Sequence, residues 1–199
     1  YCIDHDLWDT NNLDLVDSKS FWRRINQLRQ WKYPINTLEF TNPTESLPAI
    51  LHLLQHAPDD FNLPIVFNCH LYSAESFCEI ATEIVDVWLP DLRYGNSKCA
   101  KKFSSVDDYF KHAACGLKAM VNSEAKVIVR ILLLPGHVDC CHQPSIELLR
   151  QHKNHVRVSV LDQYIPEYMA TEREELRKPA SSEEIRRVEV LVNENGLSK

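Results

Sequence analysis

Reactive side chains in this chain gather just after its apolar segments. Thr41, Asn42, Pro43 and Thr44 follow one such run, and Asn68, Cys69 and His70 end the next. Asp91, Arg93, Tyr94 and Gly95 come after the third, Gly136 and His137 after the fourth, and Asp162, Gln163 and Tyr164 after the last. Polar and turn-forming residues suit any single loop. Five such clusters in step with five apolar runs describe one rim, where amides, carboxylates, guanidinium and imidazole groups could hold a polar ligand. Arg130 adds to this, because it interrupts the apolar run 127–134 and a guanidinium inside a strand is costly unless paired. Two readings are open for it: an ion pair with Asp86 or Asp91, or an anion clamp facing a cavity. His137, Cys140, Cys141 and His142 are soft and borderline metal donors. Their spacing matches no standard zinc pattern and adjacent Cys side chains point apart, which favours a structural loop over a metal site.

The elements that must position these groups alternate between helical and extended patterns. Phe21, Ile25, Leu28 and Trp31 recur at helical spacing behind the capping candidates Asp17 and Ser18. Residues 35–41 (INTLEFT) read as a strand. Ser46 is a candidate cap for a helix with Leu47, Ile50, Leu51 and Leu54 on its buried stripe and Pro48 in its first turn. Residues 63–68 (LPIVFN) suit a parallel strand, and Ser73 precedes a helix containing Phe77, Ile80 and Ala81. A strand at 84–89, a helix over about 106–121 and the most hydrophobic strand at 127–134 follow. A helix opens at Pro144, and 156–161 (VRVSVL) is the fifth strand. Residues 165–179 are polar and predict a surface excursion, after which Ser181 and Glu184 form a capping box for a last helix. Five strands alternating with helices give an α/β protein built from right-handed βαβ units. Periodicity leaves an open doubly wound sheet and a barrel equally available, and in both the ligand lies beyond the carboxyl ends of the strands.

Composition narrows the function classes. The 199 residues are 44% hydrophobic and 25% charged, as in an ordinary globular protein, and one domain is the default. A formal charge of −6 disfavours general nucleic-acid binding. No apolar run approaches the roughly 20 residues that span a bilayer, so no membrane partner is expected. Seven Cys without regular spacing argue against a disulfide framework and for a reducing compartment, with cytoplasmic localisation expected.

The segments LPIVFN (63–68), IVDVWLPDLRYGN (84–96), VIVRILLLPGHVDCC (127–141) and VRVSVLDQYIP (156–166), with the closing capped helix, resemble the radical SAM superfamily. Within it they are most similar to the branch of pyruvate formate-lyase activating enzyme. The likeness runs over essentially the whole chain and is most specific in WLPDLRYGN and LLLPGHVDCC. It implies a partial TIM-like (β/α) barrel of parallel strands, a single radical SAM-like core domain over residues 1–199 whose first strand lies upstream. By the same resemblance, Tyr1 and Cys2 match the final aromatic-Cys pair of the hallmark Cys-x-x-x-Cys-x-aromatic-Cys motif. Cys2 would then ligate a [4Fe–4S] cluster and Tyr1 would pack near an adenine, in an N-terminally truncated fragment not expected to act alone. Such enzymes cleave S-adenosyl-L-methionine reductively to a 5′-deoxyadenosyl radical that abstracts hydrogen from a substrate. The resemblance implies Asn42, Asn68, Asp91, Arg130 and His137 as cofactor-binding residues. It also implies an electron donor such as flavodoxin or ferredoxin, and a glycyl-radical enzyme or a small molecule as substrate. One departure stands out: Phe40, Thr41 and Asn42 fall where the family has Gly-Gly-Glu, so Asn42 offers a carbonyl but no negative charge to an ammonium.

Two other readings remain at this level. The altered Phe40-Thr41-Asn42 segment is compatible with a degenerate homologue serving as a binding or scaffold module. A metal-independent barrel lyase would use His70 or His137 as a base, since the predicted strand ends carry no obvious Schiff-base Lys.

Overall fold

The structure, a computed structural model, describes residues 16–198. Tyr1 and Cys2 lie outside the described residues. The elements in chain order are α1 (Ser18–Arg29), β1 (Leu38–Thr41), α2 (Leu47–Gln55), β2 (Ile65–His70), α3 (Glu75–Ala81), β3 (Val87–Asp91), α4 (Ser97–Ser104), α5 (Tyr109–Val121), β4 (Lys126–Leu132), α6 (Gln143–Arg150), β5 (Val156–Leu161) and α7 (Ser182–Glu194).

All strand pairings are parallel and the sheet runs β1-β2-β3-β4-β5 without reversal. A doubly wound sheet reverses its order partway and covers both faces with helices. Here only one face is covered. Phe67, Trp88, Val129 and Val158 point into the helical layer and are almost wholly buried. Their alternating neighbours on the other face are more open apart from the buried Val66, with Glu39 and Arg157 exposed and Asn68, Asp91, Ile128, Arg130 and Ser159 partly so. Consecutive parallel strands with helices outside and a half-polar inner face form the arc of a barrel. This settles in favour of the barrel the choice that periodicity left open.

The main core joins the outer faces of β2 to β5 with Leu47 and Ile50 of α2, Phe77 of α3, Leu117 of α5, Ile146 of α6, and Val188 and Val192 of α7. Trp88 anchors it, meeting Phe67 edge-on at 5.6 Å and Phe77 at 6.3 Å. A second cluster of Trp22, Ile25 and Leu38 seats α1 at the β1 end of the sheet, where Trp22 Nε1 donates to the Leu53 carbonyl at 3.0 Å. Among the described residues no helix is long and apolar enough to cross a membrane.

Most predicted elements appear with shifted ends. Asp17 caps α1 through its side chain, and the Ser181/Glu184 capping box is complete in α7. Ser46, by contrast, makes no side-chain cap on α2. The third strand begins at Val87 rather than residue 84, because Ile84 and Val85 bond back to Ala81 in the turn closing α3. The stretch before β4 holds two helices. Ser105 (φ 56°) and Asp108 (φ 51°) turn the chain between α4 and α5, so the helical pattern that starts near residue 97 is broken before the longer one. A five-residue π-helical turn (Val138–His142) leads directly into α6.

Candidate active site at the strand ends

Alternation along each strand puts Glu39 and Thr41, then Asn68 and His70, then Asp91, then Arg130, on the inner face near the carboxyl ends. Parallel register brings them together, with Thr41 beside Asn68, His70 beside Asp91 and Asp91 beside Arg130. Arg130 Nε donates to Asp91 Oδ1 at 2.7 Å, and its Nη2 donates to Asn68 Oδ1. Asn68 Nδ2 donates onward to Glu39 Oε1 at 2.8 Å, while Arg93 Nη2 reaches Asp91 Oδ2 at 2.9 Å. One network therefore links four strands and the loop after β3. Of the two readings open for Arg130, the ion pair with Asp91 is the one formed. Asp86 instead accepts from the Ile65 amide at 2.7 Å.

Two carboxylates and two guanidiniums cancel in this network, which leaves a polar rim without net charge. Asn68, Asp91 and Arg130 are brought together as the sequence predicts. Asn42 stands at the edge of the group in the left-handed region (φ 52°), a conformation Asn tolerates, and its amide donates to the Asn68 carbonyl at 2.8 Å. Phe40, in the same segment, turns to the helical side and meets Phe67 edge-on at 5.9 Å.

His70 sits beside this network with an unsatisfied atom. Its Nδ1 is buried and has no hydrogen-bond partner among the described residues. Burial first, and the positive charge of Arg93 second, lower its pKa, so the ring is held neutral. A buried imidazole nitrogen without a partner is expensive in a finished core and useful where a ligand supplies the partner.

The loop after β3 is braced from the helical side. Tyr109 Oη accepts from the Arg93 amide at 2.9 Å and donates to the Asp91 carbonyl at 3.3 Å. Gly95 is required there by close approach, because a Cβ at this position would overlap the Cys141 carbonyl oxygen.

His137 does not join the inner network. Its Nδ1 meets the Pro135 carbonyl at 2.6 Å, and its ring packs edge-on against Phe103 at 5.0 Å, on the side of Cys99 and Cys140. His142 is also separate. It is buried, accepts from the Leu134 amide at 3.1 Å, and burial lowers its pKa to about 4. Cys141 is buried with its thiol pKa pushed up by desolvation.

Glu39, Asn96 and Cys99 were missed as site residues by sequence reasoning. Glu39 was detectable as an acid on the same face as Thr41 in a four-residue strand, where acids are depleted. Asn96 and Cys99 required recognition of α4, whose N-cap is Asn96.

No family model matches the chain. An uncharacterized protein of Methanocaldococcus jannaschii is 30% identical over 156 residues, which are 78% of this chain and 45% of the relative. The chain thus spans less than half the length of that curated relative. Among solved structures, a domain of pyruvate-formate lyase-activating enzyme from Bacteroides vulgatus superposes with a TM-score of 0.59 at 13% identity, covering 80% of this chain and 95% of that one. Methylornithine synthase (PylB) gives 0.59 at 15% identity, over 94% of this chain and 57% of that one. Hydroxymethylglutaryl-CoA lyase from Pseudomonas aeruginosa gives 0.52 at 13% identity, over 93% and 60%. At these identities the likeness is one of fold, and it agrees with the barrel arc.

Proposed function

We propose that this chain is the core of a radical SAM enzyme, a single domain whose strand-end rim holds the polar groups of S-adenosyl-L-methionine. The carrying observation is the Glu39–Asn68–Arg130–Asp91–Arg93 network on the open face of the sheet, with the unpartnered His70 Nδ1 beside it. The fold likeness to a domain of pyruvate-formate lyase-activating enzyme supports the same branch that the WLPDLRYGN and LLLPGHVDCC segments resemble.

The donor set fits such a cofactor. A rim with paired opposite charges offers acceptors for an ammonium (Asp91, the Asn68 and Asn42 carbonyl oxygens) and donors for a carboxylate (Arg93, Arg130), and the buried His70 nitrogen lacks a partner that a ligand would provide. When bound next to a reduced [4Fe–4S] cluster, the cofactor supplies a 5′-deoxyadenosyl radical for hydrogen abstraction. Cys2 is the residue proposed to ligate iron, and Tyr1 to pack near the adenine. Arg130 holds Asp91 in orientation at the rim, and the neutral His70 ring can accept or donate a single hydrogen bond there. Apolar Leu89 and Ile128 each stand two residues before Asp91 and Arg130 on the same inner face and are partly buried. A cytoplasmic location, an electron donor such as flavodoxin or ferredoxin, and a glycyl-radical enzyme or small molecule as hydrogen donor complete the reading.

The test is anaerobic reconstitution of the full-length protein with iron and sulfide, followed by reductant and S-adenosyl-L-methionine. Release of methionine and 5′-deoxyadenosine, lost in Cys2→Ser, is expected. A reconstituted protein that forms no cluster and yields neither product refutes the assignment.

A second reading is favoured by Asn42, which places an uncharged amide where the family has Glu. It makes the chain a binding or scaffold module without turnover. Calorimetry on the reconstituted protein separates the two, since a scaffold shows no affinity for the cofactor.

A further inference from the structure

We propose that Cys99, His137 and Cys140 form a mononuclear zinc(II) site on the helical side of the rim, with a water molecule as fourth ligand. The three residues come from two segments, α4 and the π-helical turn after β4. One donor atom from each lies within 4.8 Å of the other two.

The geometry is that of a tetrahedral ion. Two thiolates about 2.3 Å from zinc at the tetrahedral angle lie about 3.8 Å apart. Cys99 Sγ and Cys140 Sγ are 3.9 Å apart, far beyond a disulfide bond, and both thiols are free. The histidine is already prepared. A carbonyl oxygen only accepts, so Nδ1 of His137 carries the proton in its bond to Pro135, which leaves the lone pair on Nε2 for a metal. Two thiolates and an imidazole are borderline-soft donors that select zinc over magnesium or calcium. Iron–sulfur ligation is a poorer match, because the thiolates of a cluster are spread over different irons and only two are present here.

Local structure holds the ligands in place. Asn96 Oδ1 accepts from the Cys99 amide at 2.8 Å, while its Nδ2 donates to the Cys140 carbonyl and lies 3.4 Å from Cys99 Sγ. One amide side chain thus ties both cysteine-bearing segments together. Cys99 is the third residue of α4, so the first turn of that helix fixes the position of its side chain. The contact of Gly95 with the Cys141 backbone locks the same two loops. Cys140 is exposed, which gives an ion both an entry path and room for a water ligand. The spacing 137, 140, 141, 142 resembles no zinc motif because only the first two residues take part. Cys141 turns into the core, His142 bonds to Leu134, and the missing ligand comes from α4.

This site is independent of the radical reading and stands even if Cys2 binds no iron. It is tested on the full-length, iron-free protein kept under reductant, titrated with cobalt(II) and then zinc(II). One equivalent of cobalt should give the visible bands of a tetrahedral ion with thiolate charge transfer, and one equivalent of zinc should remove them. Asn96→Ala, which removes hydrogen bonds but no ligand, should weaken zinc binding about 10- to 100-fold. Cys99→Ser and Cys140→Ser should weaken it further and each halve the charge-transfer intensity. Cys115→Ser and Cys2→Ser should leave it unchanged. X-ray absorption on the unmutated zinc form, which depends on no variant folding, should give two sulfur ligands. Absence of the tetrahedral spectrum, its survival in Cys99→Ser, its loss in Cys2→Ser, a sulfur count other than two, or a Cys99–Cys140 disulfide under these conditions overturns the proposal.

Discussion

Replacing Arg130 by Met is the most direct probe of the rim. The guanidinium makes two contacts to Asp91 at 2.7 Å and one to Asn68, and the two charged side chains are 22% and 19% exposed. Removing one partner of a fully buried pair costs about 3–5 kcal/mol, and an exposed pair is worth about 0–1 kcal/mol. Partial exposure and the remaining bond from Arg93 to Asp91 at 2.9 Å put the cost between these limits, at about 2 kcal/mol. For a domain of this length that is a fall in Tm of about 4–8 °C. Asp91→Leu should cost more, because it removes the carboxylate that two guanidiniums share. The double variant should recover part of the loss, since Arg130 and Asp91 no longer leave each other's charge unpaired. Urea denaturation of the four proteins measures the coupling. If Arg130→Met lies within about 0.5 kcal/mol of the parent and the double-mutant coupling is zero, the network does not hold the strand ends together and the argument for a built rim fails.

Three further outcomes are expected. Gly95→Ala forces the loop after β3 away from Cys141 and should destabilise by about 1–3 kcal/mol in urea melts, whereas the same change at Gly136, where a Cβ meets nothing within 4 Å, should cost only the strain of its φ of 75°. Ser181→Ala removes the capping box of α7 and should cost about 1 kcal/mol, with faster amide exchange in the first turn of that helix. His70, with its folded-state pKa lowered, stays neutral while the unfolded chain takes up a proton as pH falls below about 6.5, so its contribution to stability is present above that pH and lost below it. His70→Gln should therefore show a shallower loss of stability between pH 7 and pH 5 than the parent; an identical slope rules out this account of His70.

Strand identity was legible from sequence because each strand is an apolar run closed by polar residues, and the buried outer faces of β2 to β4 demand such runs. What periodicity could not carry was the closure of the sheet. Barrel and doubly wound sheet share one local pattern and differ in strand order and in which face helices cover. The charged rim was half legible. Asp91, Asn68 and Arg130 stand out as polar groups at strand ends, but Glu39 hides in a strand of only four residues. The soft cluster was read from one segment alone, because α4 begins after a Gly-Asn turn and is short enough to pass for a loop. Cys99 therefore had no visible relation to His137, some forty residues away, until the fold brought α4 against the π-helical turn.

The state of Arg130 bears on what the rim can hold. A free guanidinium would make it an anion site. Here two of its nitrogens are committed to Asp91 and Asn68, and the charges of Glu39 and Asp91 match those of Arg93 and Arg130. A purely anionic ligand would have to draw a guanidinium away from Asp91 and leave a half-buried carboxylate unpaired, which costs more than a surface contact returns. A ligand with both charges exchanges partners without leaving either sign exposed: its cation meets the carboxylate, its anion the guanidinium. The adjacent amino and carboxylate groups of the proposed cofactor are such a pair. Conversely, an acid at position 42 would tip this rim to net negative, so Asn42 is consistent with a site in which Glu39 and Asp91 already provide the negative charge.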